Sequence, residues 1–153
     1  MKELLIKLRA CQDARTWAAD KSWQEIYTTC HRGDWLLWLW FKTMNHNNEE
    51  HFRLLTLAKA KCANTVRHLM KDKRSTDALD MCFAFCSGNA TRQDLKNAAA
   101  AADDAAYAYA ADDAADDDAA DDAADDAARI NNQLLTANLI RETLPIEIWN
   151  INL

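Results

Sequence analysis

The sequence predicts an all-α protein folded as a single-domain helical bundle, and three observations carry that expectation. Only two glycines and one proline punctuate 153 residues, too few for the tight turns of a hairpin-rich chain. Half of the residues are apolar, and the large ones recur at helical spacing. From Arg92 to Thr143 nothing breaks a helix until Pro145. The chain reads in three parts: tryptophan-rich core helices over 1–90, a long Ala/Asp-rich helical region over 91–144, and a short apolar tail over 145–153.

Residues 2–10 place Leu4, Leu5 and Leu8 among Lys7 and Arg9, the pattern of a short amphipathic helix. A second begins near Asp13 and presents Trp17. Ser22 and Glu25 have the spacing of a capping box, in which hydroxyl and carboxylate satisfy the free N–H groups of a helix start. That helix should run to about Cys30 and bury Trp23, Ile26 and Tyr27. Gly33 is expected to close it in a left-handed turn, and Asp34 to cap the next. The run from Trp35 to Phe41 is apolar on nearly every face, so it belongs at the centre of the core. Trp23, Trp35, Trp38 and Trp40 are the expected core aromatics. The Arg32-Gly33-Asp34 tripeptide beside them reads as a helix start rather than an adhesive loop tip.

Asn45–Asn48 is a polar connection. Helical periodicity returns from Glu49 to Met70 through Phe52, Leu55, Ala58, Cys62, Val66 and Leu69, with Arg53, Lys59, Lys61 and Arg67 on its flanks. Lys71–Arg74 forms a basic link. Ser75 or Thr76 is expected to cap a helix holding Leu79, Cys82, Phe83 and Cys86, which Gly88 ends. Thr91 with Asp94 opens the last helical region. As one straight helix, residues 92–143 would extend about 78 Å, far beyond a compact domain of this size. The region is therefore either broken, near Asn97 or Asn131-Asn132, or it projects. The tail carries Ile146, Ile148, Trp149, Ile151 and Leu153, and is expected to be extended and to tuck against the helices or dock on a partner.

Charge is distributed unevenly. Residues 98–128 contain alanine, Tyr107, Tyr109 and eleven of the 24 acidic residues, with no Lys or Arg. The rest of the chain sets 18 basic residues against the remaining 13 acidic ones, a net charge of +5. Asp113, Asp117, Asp121 and Asp125 form a column at i,i+4, and Asp118, Asp122 and Asp126 another. Each like-charge pair costs roughly 0.2–0.5 kcal/mol, so helix here depends on packing an alanine face or on cations. That face should run through Ala119, Ala120, Ala123, Ala127, Ile130, Leu134 and Ala137. Asp112 and Asp116 interrupt it, and are expected to pair with Arg53, Lys59 or Arg67 or to sit at a kink. Along a helix, Asp103 to Asp126 would place one charge about every 3.2 Å, close to the roughly 3.4 Å per charge of a DNA strand. Asp103, Asp104, Asp113, Asp117, Asp118, Asp121, Asp122, Asp125 and Asp126 are accordingly the candidate partner-binding residues.

Catalytic and cofactor chemistry finds no anchor. No Gly-rich phosphate loop, G-x-S-x-G elbow, H-E-x-x-H or calcium loop is present. Cys82 and Cys86 lie four residues apart and His31 follows Cys30, a spacing too loose to call for zinc. The expectation is no enzyme, no cofactor and no metal. Scattered basic residues and an acidic helix argue against direct nucleic-acid binding, and no stretch is apolar enough to span a bilayer. Five irregularly spaced cysteines without a signal peptide read as reduced thiols in the cytoplasm.

One arrangement extends over almost the whole chain to Pro145. Trp23 precedes Cys30-x-Arg32-Gly33-Asp34-Trp35-Leu36-Leu37-Trp38-Leu39, then come Leu57-x3-Lys61-Cys62-Ala63-x3-Arg67-His68-Leu69 and an alanine-rich stretch with tyrosines ending in Arg129 to Pro145. It resembles the alanine-rich helical immunity proteins of bacterial toxin–immunity loci and phages. The resemblance implies an all-helical binder without catalysis and transfers no catalytic residue; the aspartate density departs from it. Three functions stay open: an immunity-type inhibitor of a basic effector such as a nuclease toxin, a phage nucleic-acid mimic that blocks a host defence protein such as a restriction or CRISPR component, and an acidic self-assembly module. Homo-oligomerisation is left open with the third.

Overall fold

The computed structural model describes residues 1–113, 122–149 and 151, with side chains described at 1–104, 128–149 and 151. Among these residues the secondary structure is helical throughout, without a strand. The α-helices are α1 (Lys2–Lys7), α2 (Gln12–Trp17), α3 (Trp23–Thr29), α4 (Gly33–Thr43), α5 (Glu49–Asn64), α6 (Lys73–Cys86), α7 (Arg92–Asp113) and α8 (Asp122–Thr143), with 3₁₀ turns at Arg67–Leu69 and Ile146–Ile148. No helix of the described residues is long and apolar enough to cross a membrane.

Local signals explain most helix ends. Ser22 and Glu25 form the reciprocal capping box, Ser22 N donating to Glu25 Oε2 at 2.7 Å and Glu25 N to Ser22 Oγ at 3.2 Å. Thr91 and Asp94 repeat it at the start of α7. Gly88 ends α6 at φ +83, with Gly88 N on Phe85 O and Asn89 N on Ala84 O, the Schellman pairing that a left-handed residue permits. The cap of α6 is Asp72, which accepts from Arg74 N at 2.7 Å, rather than Ser75 or Thr76. α5 stops at Asn64, short of Met70, and a 3₁₀ turn follows.

The helices group into two compact units. The first comprises residues 1–58 and 133–153. Its centre is Leu36, Leu39 and Trp40 of α4 with Ala137, Ile140 and Leu144 of the C-terminal segment, all at most 4 % exposed. Trp40 is the one expected core tryptophan that is fully buried; Trp23, Trp35 and Trp38 are half-buried.

Gly33 has a different role from the one its sequence context implies. It is the first residue of α4, behind Arg32, and its φ is not positive. A Cβ there would stand 2.9 Å from Ala137 N and 2.9 Å from Thr136 Cβ. The glycine is there so that α8 can approach closely.

Two further contacts close this unit. Arg141 Nε donates to Tyr27 O at 2.6 Å and Arg141 Nη2 donates to Cys30 O, capping the carbonyl end of α3. In return Tyr27 Oη lies 3.1 Å from both Arg141 O and Leu144 O at the carbonyl end of α8. The two helix ends thus satisfy each other's orphan acceptors. Over its described residues, 145–149 and 151, the tail tucks in as expected; Leu153 lies outside them. Trp149 is buried, its ring centroid 5.0 Å from Trp23, 6.0 Å from Tyr27 and 5.2 Å from Trp40, while its Nε1 donates to Leu144 O at 2.8 Å. Such aromatic pairs add about 0.5–1.5 kcal/mol each beyond their buried area.

The second unit comprises residues 59–132. Here α6 packs on α7 across the Gly88 turn, over buried Ala60, Leu79 and Phe85. Its described residues include the ion pairs Arg67–Asp80 at 2.6 Å, Lys73–Asp77 at 2.6 Å and Arg74–Asp72 at 2.7 Å.

Candidate functional site

The acidic stretch falls partly on α7 and α8. Helix α7 runs unbroken through Asn97, because Asn97 is spent in a side-chain bond from Gln93 on its own surface at 2.9 Å. Helix α8 runs unbroken through Asn131-Asn132, where Asn132 Oδ1 meets Thr65 Oγ1 at 3.0 Å. Neither asparagine pair is the break. Whether 92–143 forms one helix turns on residues 114–121, which lie outside the described ones.

Of the candidate binding residues, Asp103 and Asp104 stand exposed on α7. Asp113 closes α7, while Asp122, Asp125 and Asp126 belong to the first turns of α8; their side chains lie outside the described set. Asp117, Asp118 and Asp121 lie outside the described residues altogether, as does Asp116. Asp112 is on α7. Its side chain, and with it the expected pairing to Arg53, Lys59 or Arg67, lies outside the described set; Arg53 meets Glu49 at 3.6 Å, and Arg67 meets Asp80.

Of the expected apolar stripe, Ala119 and Ala120 lie outside the described residues, as do the side chains of Ala123 and Ala127. Of its three described members, Ala137 is fully buried, but Ile130 is 53 % exposed and Leu134 50 %. Burial begins where Gly33 admits Thr136 and Ala137; among the described residues nothing comparable covers the turns before it. An apolar strip of α8 is left facing solvent directly after the aspartates.

The described residues offer little reactive chemistry. No group of three or more His, Cys, Asp or Glu could hold a metal ion among them. Cys82 and Cys86 sit together on α6, in the unit other than that of Cys30 and His31. Burial pushes the Cys30, Cys62 and Cys82 thiols up, which keeps them protonated at neutral pH and poor nucleophiles. At the Arg-Gly-Asp site, Arg32 Nε and Nη2 grip Asp34 at 2.8 and 2.6 Å, and the guanidinium lies 4.6 Å over the Trp35 ring. That contact holds the Asp34 carboxyl below its usual range. The tripeptide is a structural clamp at the head of α4.

No family model, no curated protein and no solved structure matches the chain. The likeness to immunity proteins therefore rests on the sequence blocks alone.

Proposed function

We propose that the protein is a non-catalytic inhibitor of the immunity type, which binds a basic, nucleic-acid-acting protein through its acidic helical region. The observation that carries this reading is charge segregation: eleven aspartates and no cation over residues 98–128, on a chain otherwise net positive. A merely solvating face mixes both signs. The geometry adds one support. Ile130 and Leu134 expose apolar area immediately beyond the stretch, which supplies the apolar centre that a charged rim surrounds in a protein interface.

In mechanism, aspartates at a spacing near that of phosphates would occupy the Lys and Arg side chains with which an effector holds nucleic acid. Opposite fields speed the encounter, and the bound helix then blocks the cleft. The experiment is a pull-down from host lysate at low and high salt. Wild-type bait is compared with one carrying Asn at Asp117, Asp118, Asp121, Asp122, Asp125 and Asp126. The reading requires a nucleic-acid-binding protein that only the wild type captures and that salt releases. Equal capture by both baits would move the interface to the tryptophan-rich half.

A further inference from the structure

The first unit contains a feature that the acidic region does not explain: a cavity of about 610 Å³ among α1 to α4. Pockets that hold small organic molecules span roughly 300–1,000 Å³ and are mostly apolar with a few polar groups. The buried side of this one is Leu5, Ile26, Leu36 and Leu39, and the indoles of Trp17, Trp35 and Trp38 line it as well. Trp17 and Trp35 stand 6.1 Å apart at 59°, open rather than stacked on each other. Ala10, Ala14 and Ala18 are also in its wall, short side chains that leave the volume unfilled.

Its charged groups are Arg9, Arg32 and Asp34. Arg32 and Asp34 neutralise each other through two hydrogen bonds. Arg9 has no hydrogen-bond or ion-pair partner for its side chain among the described residues. One uncompensated positive charge therefore serves an otherwise apolar, aromatic space.

The backbone at Arg9 adds an independent observation. Arg9 is the only non-glycine residue of positive φ among the described residues, at φ 60. Arg9 N donates to Ile6 O and Ala10 N to Leu5 O, the same Schellman pairing that Gly88 makes at the end of α6. Glycine fills this position at lowest strain. The chain uses glycine at the second such turn and arginine at the one that borders the cavity. Arg9 borders the cavity and is exposed, so the turn places it at the rim.

We propose that this cavity is a binding site for a small aromatic monoanion, with the rings among the tryptophans and the single negative charge on Arg9. The test uses two probes of nearly equal shape: anilinonaphthalene sulfonate, which is an aromatic monoanion, and phenylnaphthylamine, its uncharged counterpart. Titration of the folded protein should show one saturable site for the sulfonate. Arg9→Gln should weaken the sulfonate about tenfold, since a hydrogen bond to a charged group is lost, and leave the neutral probe within about twofold. Ala14→Phe, which places a ring in the cavity wall, should weaken both. In the unmutated protein, bound sulfonate should slow alkylation of Cys11, the exposed thiol in the cavity wall, as read by peptide mass spectrometry. That last arm stands even where Ala14→Phe fails to fold. Equal sulfonate affinity in Arg9→Gln, or unchanged Cys11 alkylation at saturation, overturns the proposal.

Discussion

Adding a single methyl group at Gly33 tests the account of how the first unit is closed. Exposed in a helix, Ala is favoured over Gly by up to about 1 kcal/mol, so a glycine kept only by chance would make Gly33→Ala stabilising. The geometry demands the reverse sign. The new Cβ would stand 2.9 Å from Ala137 N and from Thr136 Cβ, and closer to Thr136 Oγ1. The hydroxyl can rotate, although it then gives up its 3.0 Å bond to Gln133 O. The Ala137 nitrogen is backbone and moves only with α8. Non-bonded heavy atoms are comfortable at about 3.5–4.0 Å, so α8 must withdraw by roughly 0.5 Å, which forfeits about a quarter of each contact across the seam. That seam includes Ala137, Ile140 and Leu144, all at 0 % exposure. Overpacking of this kind costs about 1–3 kcal/mol. After the propensity gain, we expect a net loss of about 1–2 kcal/mol, or about 2–8 °C in Tm for a chain of this length. Urea unfolding measures it, with the slope checked for constancy. A variant as stable as the parent, or more so, would refute the close-approach argument.

Three other outcomes follow from the same structure. Tyr27→Phe should cost about 1–2 kcal/mol, because Arg141 O and Leu144 O lose their shared donor; Arg141→Met should cost more, since two carbonyls at the end of α3 are orphaned. Urea titrations should also show that the order of loss does not reverse. Arg9→Gly should exceed Arg9→Ala in stability by about 1 kcal/mol, since only glycine adopts φ 60 without strain; equal stability would mean that the turn relaxes. As to pH, Asp34, Asp72, Asp80, Asp94 and Glu25 are all held below their usual values, by Arg32, Arg74, Arg67, Thr91 and Ser22 respectively. A carboxyl lowered on folding stabilises the protein above its unfolded pKa, and that contribution is lost as pH falls through the folded value. These groups are at least half exposed or at helix ends, so each contributes modestly, and together they predict loss of stability below about pH 4. Thermal melts at pH 7, 5 and 3 check it; a melt unchanged at pH 3 would contradict the pairing.

What could be read from the sequence divides by the range of the interaction. Ser22 with Glu25, Thr91 with Asp94, and Gly88 were legible because a cap is complete within three or four residues. The all-helical class was legible because spacing and the scarcity of Gly and Pro are properties of the whole chain. Gly33 was misread, since a glycine after a helix looks the same whether it turns the chain or admits a helix from residue 136 onward. The same distance hid the bonds between Tyr27 and Arg141, 114 positions apart, and the packing of Trp149 on Trp23, Tyr27 and Trp40. Asp72, the cap of α6, is not distinguished by sequence from Ser75 and Thr76, which carry the same signal nearby. The spacing of the α8 stripe is silent about where its cover ends, and Ile130 and Leu134 are open. For the site, the sequence showed the aspartates by composition alone. The cavity escaped notice because its walls come from four separate helices and Arg9 gives no local sign of its backbone.

The most direct test of the inhibitory reading is competition for the effector's nucleic-acid site. The protein captured by the wild-type bait is purified and loaded with a fluorescent duplex oligonucleotide, and release is followed by anisotropy as this protein is added. Wild type should displace the duplex stoichiometrically, with an affinity that falls steeply as salt rises. The variant with Asn at Asp117, Asp118, Asp121, Asp122, Asp125 and Asp126 should displace it at least tenfold more weakly. Binding of wild type to the effector with the duplex still in place would contradict the account, because the acidic helix would then be occupying some other surface.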